Sequence, residues 1–445
     1  MAEAWDSESI STKQHEIAAL AKRMPKRVLN TLAHRMDLAW MREAYRRVRK
    51  DGARGVDGVS ARDYETNLEE NLKGLLERLK SGLYRAPAVR RINIPKGDGR
   101  GTRPIGIPTL EDKVLQRAVL MVLEAVYEQD FLDCSYGFRA GRSAHQALQA
   151  LWAGLMNIEG GWVIDLDIRA YFDSVQRHHL GQMLDQRVRD GVIRRAIGKW
   201  LNAGVMEDGV VSYPEQGTPQ GGVISPLLSN IYLHEVLDTW FEDDVKPRLV
   251  GRAFMVRYAD DAVLCFEHES DARRVLAVLP KRLARFGLEL NEDKTQLVDF
   301  RRPGQRDGEP NNGAGTGLHG FDVLGFTHYW GRSRKGRWIV KRKTAKSRFS
   351  RALVRVAKWC RYHRHLPVRE QCKALSRRLR GHDAYFGITG NGPALSRFHL
   401  EVGRVWRKWL DRRSHHARMN WERFARLLAN YPLPPPRVIH SVYRS

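Results

Sequence analysis

Apolar and polar positions along this chain follow two periods in turn. Residues 110–127 are apolar on most faces, which predicts a buried helix. Helical spacing also predicts amphipathic helices within residues 1–50, over 64–80 and at about 270–287. Shorter apolar runs read as strands. Val89-Arg90-Arg91-Ile92-Asn93-Ile94 and Pro104-Ile105-Gly106-Ile107 flank a basic, glycine-rich turn, a strand–turn–strand unit. Gly161-Trp162-Val163-Ile164-Asp165-Leu166-Asp167-Ile168 is a further strand. Phe254-Met255-Val256 and Ala262-Val263-Leu264-Cys265-Phe266 predict a hairpin with Tyr258-Ala259-Asp260-Asp261 at its apex. Strands are expected near 296–300 and 321–327, separated by a Gly/Pro/Asp/Asn-rich surface loop at 301–316. From residue 341 onward the pattern predicts basic helices, ended by Pro432-Leu433-Pro434-Pro435-Pro436 because proline cannot propagate a helix. The mixture predicts an α+β fold.

Composition bounds the possibilities. With 445 residues, 42% hydrophobic and 29% charged, the chain is globular and long enough for two to four domains. Its formal charge is +25, and the distribution matters more than the size. Residues 331–445 carry 30 Lys/Arg against 5 Asp/Glu, leaving 46 of each in residues 1–330. A one-sided surplus of that kind predicts a polyanionic partner, nucleic acid above all. No lipidation signal or long apolar span accompanies it, so a membrane is not the expected partner. Cys134, Cys265, Cys360 and Cys372 are scattered, which indicates neither a zinc site nor a disulfide framework. The acidic N-terminus lacks the apolar run of a secretory signal, and a reducing, cytoplasmic setting is expected.

The candidate chemistry lies in the carboxylates. Asp260 and Asp261 repel each other at a hairpin apex and gain nothing from core packing, although aspartate is also common in plain turns. A hard cation such as Mg²⁺ between them and a phosphate gives the pair a purpose. Asp165 and Asp167 share one face of an otherwise apolar strand, with Asp167 nearer its C-terminal end. Asp167, Asp260 and Asp261 make a three-carboxylate set suited to two metals and in-line phosphoryl transfer. Gln216-Gly217-Thr218-Pro219-Gln220-Gly221-Gly222 precedes a helix, and its glycines allow close backbone approach to a ligand.

Taken in order, these segments resemble a reverse transcriptase, most closely the protein encoded by group II introns, and the resemblance covers nearly the whole chain. It rests on Gly55-Val56-Asp57-Gly58, on Ile94-Pro95-Lys96 through Arg103-Pro104-Ile105-Gly106-Ile107-Pro108, and on Tyr136-Gly137-Phe138-Arg139. Thr218-Pro219-Gln220-Gly221-Gly222, Tyr258-Ala259-Asp260-Asp261, Leu290-Asn291-Glu292-Asp293-Lys294-Thr295 and Val323-Leu324-Gly325-Phe326 continue it. Gly381-His382-Asp383-Ala384-Tyr385-Phe386-Gly387 resembles the maturase, or thumb, region.

The resemblance implies a right-hand polymerase. An N-terminal extension over 1–85 would precede fingers and palm over 86–330, with the palm from about 161. A helical maturase or thumb domain over 331–413 would follow, then a basic tail over 414–445, a possible DNA-binding segment. No endonuclease domain with cysteine pairs is expected. Asp167, Asp260 and Asp261 would hold two Mg²⁺ ions. Lys96 and Arg103 would contact the incoming triphosphate, Gln220 would sit beside the nucleotide, and Lys294 would assist pyrophosphate departure. Phe172 would lie under the sugar and favour dNTPs; its alternative is core packing. Lys341, Arg342, Lys343, Lys346 and Arg348, placed on one helix, with Arg377, Arg378 and Arg380 on the next, would grip nucleic acid. The implied partners are an RNA template, intron RNA, a DNA primer or target and dNTPs. Three other readings stay open: a domesticated reverse transcriptase used in defence, a splicing factor that binds RNA without polymerising, and an RNA-directed RNA polymerase, which Phe172 disfavours. Oligomeric state is left open.

Overall fold

Helix Leu110–Tyr127 forms where its pattern predicts. The Thr109 side chain accepts from the Asp112 N–H and caps the first turn, and 13 of the 18 residues are buried. The structure, a computed structural model, describes residues 2–95, 101–207, 209–213, 221–304, 320–413 and 418–440, with side chains from residue 8. Residues form two compact units. The first comprises 1–154 and 161–297, the second 155–160 and 298–445. Each is mixed in helix and strand.

In the first unit, β1 (Val89–Pro95) and β2 (Thr102–Ile107) pair antiparallel, and β1 also pairs in parallel with β4 (Val205–Glu207). β5 (Val210–Ser212) completes the order β2-β1-β4-β5. A second sheet runs β6-β7-β3-β8, from β3 (Trp162–Leu166), β6 (Ala253–Tyr258), β7 (Asp261–Phe266) and β8 (Gln296–Asp299). The alternation of its strands turns one face onto helix Glu269–Ala284. Glycine permits close approach at Gly55 and Gly221, among other positions. A Cβ on Gly55 would lie 2.5 Å from the Thr109 Cα, and one on Gly221, at φ +106°, would lie 2.4 Å from the Gly106 carbonyl oxygen.

In the second unit, β9 (Phe321–Val323), β10 (Phe326–Arg332) and β11 (Trp338–Thr344) form an antiparallel sheet. The single strand expected at 321–327 is broken by Leu324 and Gly325, both at positive φ. The expectation of helix from residue 341 is also corrected. Lys341, Arg342 and Lys343 lie on β11, and the helix starts at Lys346. Ile339 and Val340 favour the extended backbone, and burial alternates with period two from Val340 to Thr344. This sheet lies in the second unit, where the Phe300 ring packs on Trp330 and Phe321. Helices Lys346–Tyr362, Val368–Phe386, Gly392–Asp411 and Trp421–Asn430 enclose a separate core around Leu375, Leu379, Phe398, Val402 and Trp406.

A candidate nucleotidyl-transfer centre

The β6–β7 hairpin turns in two residues, since Tyr258 pairs with Asp261. Ala259 carries the positive φ, +58°, that such a tight turn requires at its first central position. Asp260 is half-buried and Asp261 exposed. β3 pairs with β7 so that Leu166 faces Ala262. Carried one residue further, the same register sets Asp167 opposite Asp261. Opposed residues of an antiparallel pair project to one face, with Cβ atoms roughly 5 Å apart. The sheet thus gathers carboxylates separated by 94 positions in sequence.

Asp167 is held by the segment after helix Glu269–Ala284. Its carbonyl accepts from the Asn291 N–H at 2.9 Å, and its own N–H meets the Thr295 hydroxyl at 3.3 Å. The Asn291 amide donates to one carboxylate oxygen at 2.8 Å, and the Lys294 ammonium stands 3.4 Å from both. A cation therefore already faces Asp167. The all-oxygen set suits a hard divalent ion. Among the described residues, however, no three Asp, Glu, His or Cys side chains converge closely enough to ligate one ion.

The turn itself rests on a buried arginine. Arg257 and Asp238 are both 0% exposed and form a two-pronged ion pair at 2.6 and 2.6 Å. Arg257 also donates to Asn230 Oδ1 at 2.9 Å, to Ser135 Oγ at 2.8 Å and to the Ala259 carbonyl at 2.8 Å, inside the turn. Burial alone would push the Asp238 carboxyl up, but the charge and hydrogen bonds of Arg257 outweigh it and hold the pKa below the ordinary value. Asp238 comes from a π-helical continuation of helix Ser225–Leu233. The Asn230 amide donates to the Gly137 carbonyl at 2.7 Å. Gly137 packs directly on the turn, where a Cβ would lie 2.3 Å from the Ala259 nitrogen.

The remaining expected residues fall variously. Phe172 is half-buried beside Tyr171, with ring centroids 5.3 Å apart. Arg103 is exposed on β2. Lys96 and Gln220 lie outside the described residues; the Gly221-Gly222 segment that follows Gln220 is anchored, because Gln116 Oε1 accepts from the Val223 N–H at 2.8 Å. In the second unit, Lys346, Arg348, Arg377, Arg378 and Arg380 are exposed and Lys341 and Lys343 are half-exposed. Arg342 is not on the surface. It is 7% exposed on the inward face of β11, and burial lowers its pKa to about 10. Sequence reasoning missed Arg257, Asp238, Asn230 and Asn291. A lone arginine in the apolar run of β6 was the available signal, since a buried charge must find a partner.

Two adjacent carboxylates on a hairpin turn, a third opposite them and the anchored Gly221-Gly222 segment suit metal-assisted nucleotidyl transfer, the chemistry of nucleic-acid polymerases. Residues 94–328 match the family model described as reverse transcriptase (RNA-dependent DNA polymerase). The chain is similar to "Protein YkfC" of Escherichia coli (strain K12), with 35% identity over 327 residues, 65% of this chain and 84% of that protein. It is also similar to "Group II intron-encoded protein LtrA" of Lactococcus lactis subsp. cremoris, with 41% identity over 170 residues, 38% of this chain but 28% of that protein. A third relative, "Nuclear intron maturase 4, mitochondrial" of Arabidopsis thaliana, is 25% identical over 42% of this chain and 23% of its own length. The chain belongs to the group II intron-encoded reverse transcriptase and maturase family, and it is an RNA-directed DNA polymerase. The family uses divalent metal ions. No helix among the described residues is long and apolar enough to cross a membrane.

Proposed function

We propose that this chain extends a DNA primer with dNTPs on an RNA template and binds intron RNA to assist its splicing. The observation that supports the reading is the β3–β7 register, Leu166 opposite Ala262, which carried one residue further would align Asp167 with the Asp260-Asp261 turn. Asp167, Asp260 and Asp261 would hold two Mg²⁺ ions, which when bound lower the pKa of a hydroxyl and stabilise a leaving pyrophosphate. The primer 3′-oxygen forms the new bond to the α-phosphorus, the α–β phosphoanhydride bond breaks, and the hydroxyl proton passes to solvent. Lys96 and Arg103 serve the departing charge from the β1–β2 hairpin. Gln220 lines the nucleotide, and Phe172 lies under the sugar. Lys294, which now faces Asp167, releases it when the site fills and turns to the pyrophosphate.

In this reading the layout is a right hand, with fingers over 86–160 and palm from 161. The helices up to residue 413 form the thumb, with residues 414–445 as a tail for DNA. Exposed Lys346, Arg348, Arg377, Arg378 and Arg380 meet phosphates, as does the half-exposed pair Lys341 and Lys343. RNA-templated primer extension, run beside a splicing assay on the intron RNA that flanks the coding sequence, tests both halves. Extension without any effect on splicing would remove the maturase half. Splicing support that survives Asp260→Ala, with no cDNA from the unaltered protein, would instead favour a binding-only splicing factor.

A further inference from the structure

The first unit carries a basic cleft that the reaction does not use. Its volume is 480 Å³, and its walls come from the segment before β1, from helix Gly191–Leu201 and from the β4–β5 hairpin. Arg85 and Arg195 are exposed in it, and neither has a hydrogen bond or carboxylate partner among the described residues. The third basic residue, Lys199, is committed internally, since its ammonium donates to the Gly82 and Tyr84 carbonyls. Asn202 is fixed through its Oδ1, which accepts from Arg177 at 2.9 Å, so its amide N–H groups remain to donate. Among the described residues, no acidic side chain lines the cleft.

Tyr213 supplies a second kind of surface. It is 74% exposed, yet its ring is not loose. The ring lies over Gly204, where a Cβ would sit 3.0 Å from one ring carbon and 3.3 Å from another. One side of the ring is therefore seated on backbone, and most of the residue is open to solvent. Large aromatics are ordinarily buried, and an exposed ring held in place beside free guanidinium groups is the combination that takes unpaired bases and their phosphates. An acidic peptide would satisfy the arginines but has no flat face to cover Tyr213. A duplex offers phosphates but no open base.

We propose that this cleft is a binding site for single-stranded nucleic acid, with backbone phosphates on Arg85 and Arg195 and one base stacked on Tyr213. The site is separate from the carboxylates of the β6–β7 turn and does not depend on the maturase reading. It would engage a strand outside the duplex at the catalytic centre.

Binding of fluorescein-labelled 12-nucleotide RNA and DNA, measured by anisotropy across a salt series, tests this on the full chain. The RNA carries one 5-bromouridine so that cross-linked peptides can be mapped. Tyr213→Ala is expected to weaken binding at least about fivefold, with Tyr213→Phe close to the unaltered protein. The pair Arg85→Gln/Arg195→Gln is expected to lower the slope of log affinity against log salt by about 1.4 for two lost phosphates. Cross-linking is expected at the peptide containing Tyr213. A loss in the RNA arm, the DNA arm or both supports the site and states which strand it takes. Binding within twofold of the unaltered protein for all variants in both arms, with no cross-link there, overturns it. Asp260→Asn protein must give the same cross-link, which keeps this result separate from any failure of the catalytic assignment.

Discussion

Arg257→Met is the sharpest test of how the Asp260-Asp261 turn is held. The change keeps much of the side-chain length but removes five hydrogen bonds, two to Asp238 and one each to Asn230, Ser135 and the Ala259 carbonyl. Asp238 would then be a carboxylate with 0% exposure whose one remaining cationic neighbour among the described residues is His234, 3.8 Å away. Breaking a buried pair from one side costs about 3–5 kcal/mol. That is a large fraction of the ~5–15 kcal/mol that holds a typical domain together. Urea denaturation of the first unit reads this loss. The double variant Arg257→Met/Asp238→Leu removes both charges and is expected to recover most of the stability. Primer extension should not recover with it, because nothing then grips the Ala259 carbonyl. The pH dependence separates the two states further. In the unaltered protein the Asp238 pKa is depressed, so its contribution is full above the ordinary carboxylate range and is lost as pH falls through the folded value. In Arg257→Met burial of the same carboxyl is opposed only by His234, its pKa rises, and the variant should be more stable at pH 5 than at pH 8. A loss below about 1 kcal/mol, or a double variant that is no better than the single, would refute the reasoning.

Other consequences follow from single contacts. Asp112 is buried against the Tyr84 hydroxyl, and burial pushes its pKa up to about 7. A raised carboxyl costs stability as pH rises from about 4 to 7, by up to about 4 kcal/mol, so Asp112→Asn should raise the melting temperature at pH 8 and leave it unchanged near pH 4. Gly137→Ala drives a Cβ to within 2.3 Å of the Ala259 nitrogen, and it should cost about 1–3 kcal/mol and displace Asp260. Its signature is a fall in kcat larger than any change in primer affinity. Phe172→Ala should relax discrimination between dNTPs and NTPs, measured as the ratio of their kcat/KM values. An unchanged ratio would return Phe172 to plain core packing.

Much of the fold was legible because local pattern and tertiary role agree. The hairpin apex at 258–261 needs only two apolar runs and a polar turn, and helix Leu110–Tyr127 needs only its apolar faces. The three aspartates were legible as residues, but their alignment is a matter of strand register, which no local window contains. The failure at residues 338–344 has a clear cause. Lys341, Arg342 and Lys343 mask a strand whose inward members are Val340, Arg342 and Thr344, so the basic run read as a solvated helix. The support beneath the turn was hidden for a related reason. Arg257 finds Asp238 only 19 positions away, but Ser135 and Gly137 come from more than 100 positions upstream. Period and composition cannot foresee such meetings, although an arginine inside an apolar strand announces that one must exist.

The central claim is that the Asp260-Asp261 turn and the facing Asp167 perform nucleotidyl transfer. RNA-templated primer extension with dNTPs and Mg²⁺, comparing the unaltered protein with Asp260→Asn and Asp167→Asn, tests it most directly. The account predicts that each variant folds, binds the template–primer normally and loses activity by at least about 10³-fold, the equivalent of about 4 kcal/mol of transition-state stabilisation. Extension within tenfold of the unaltered protein by either variant would contradict it.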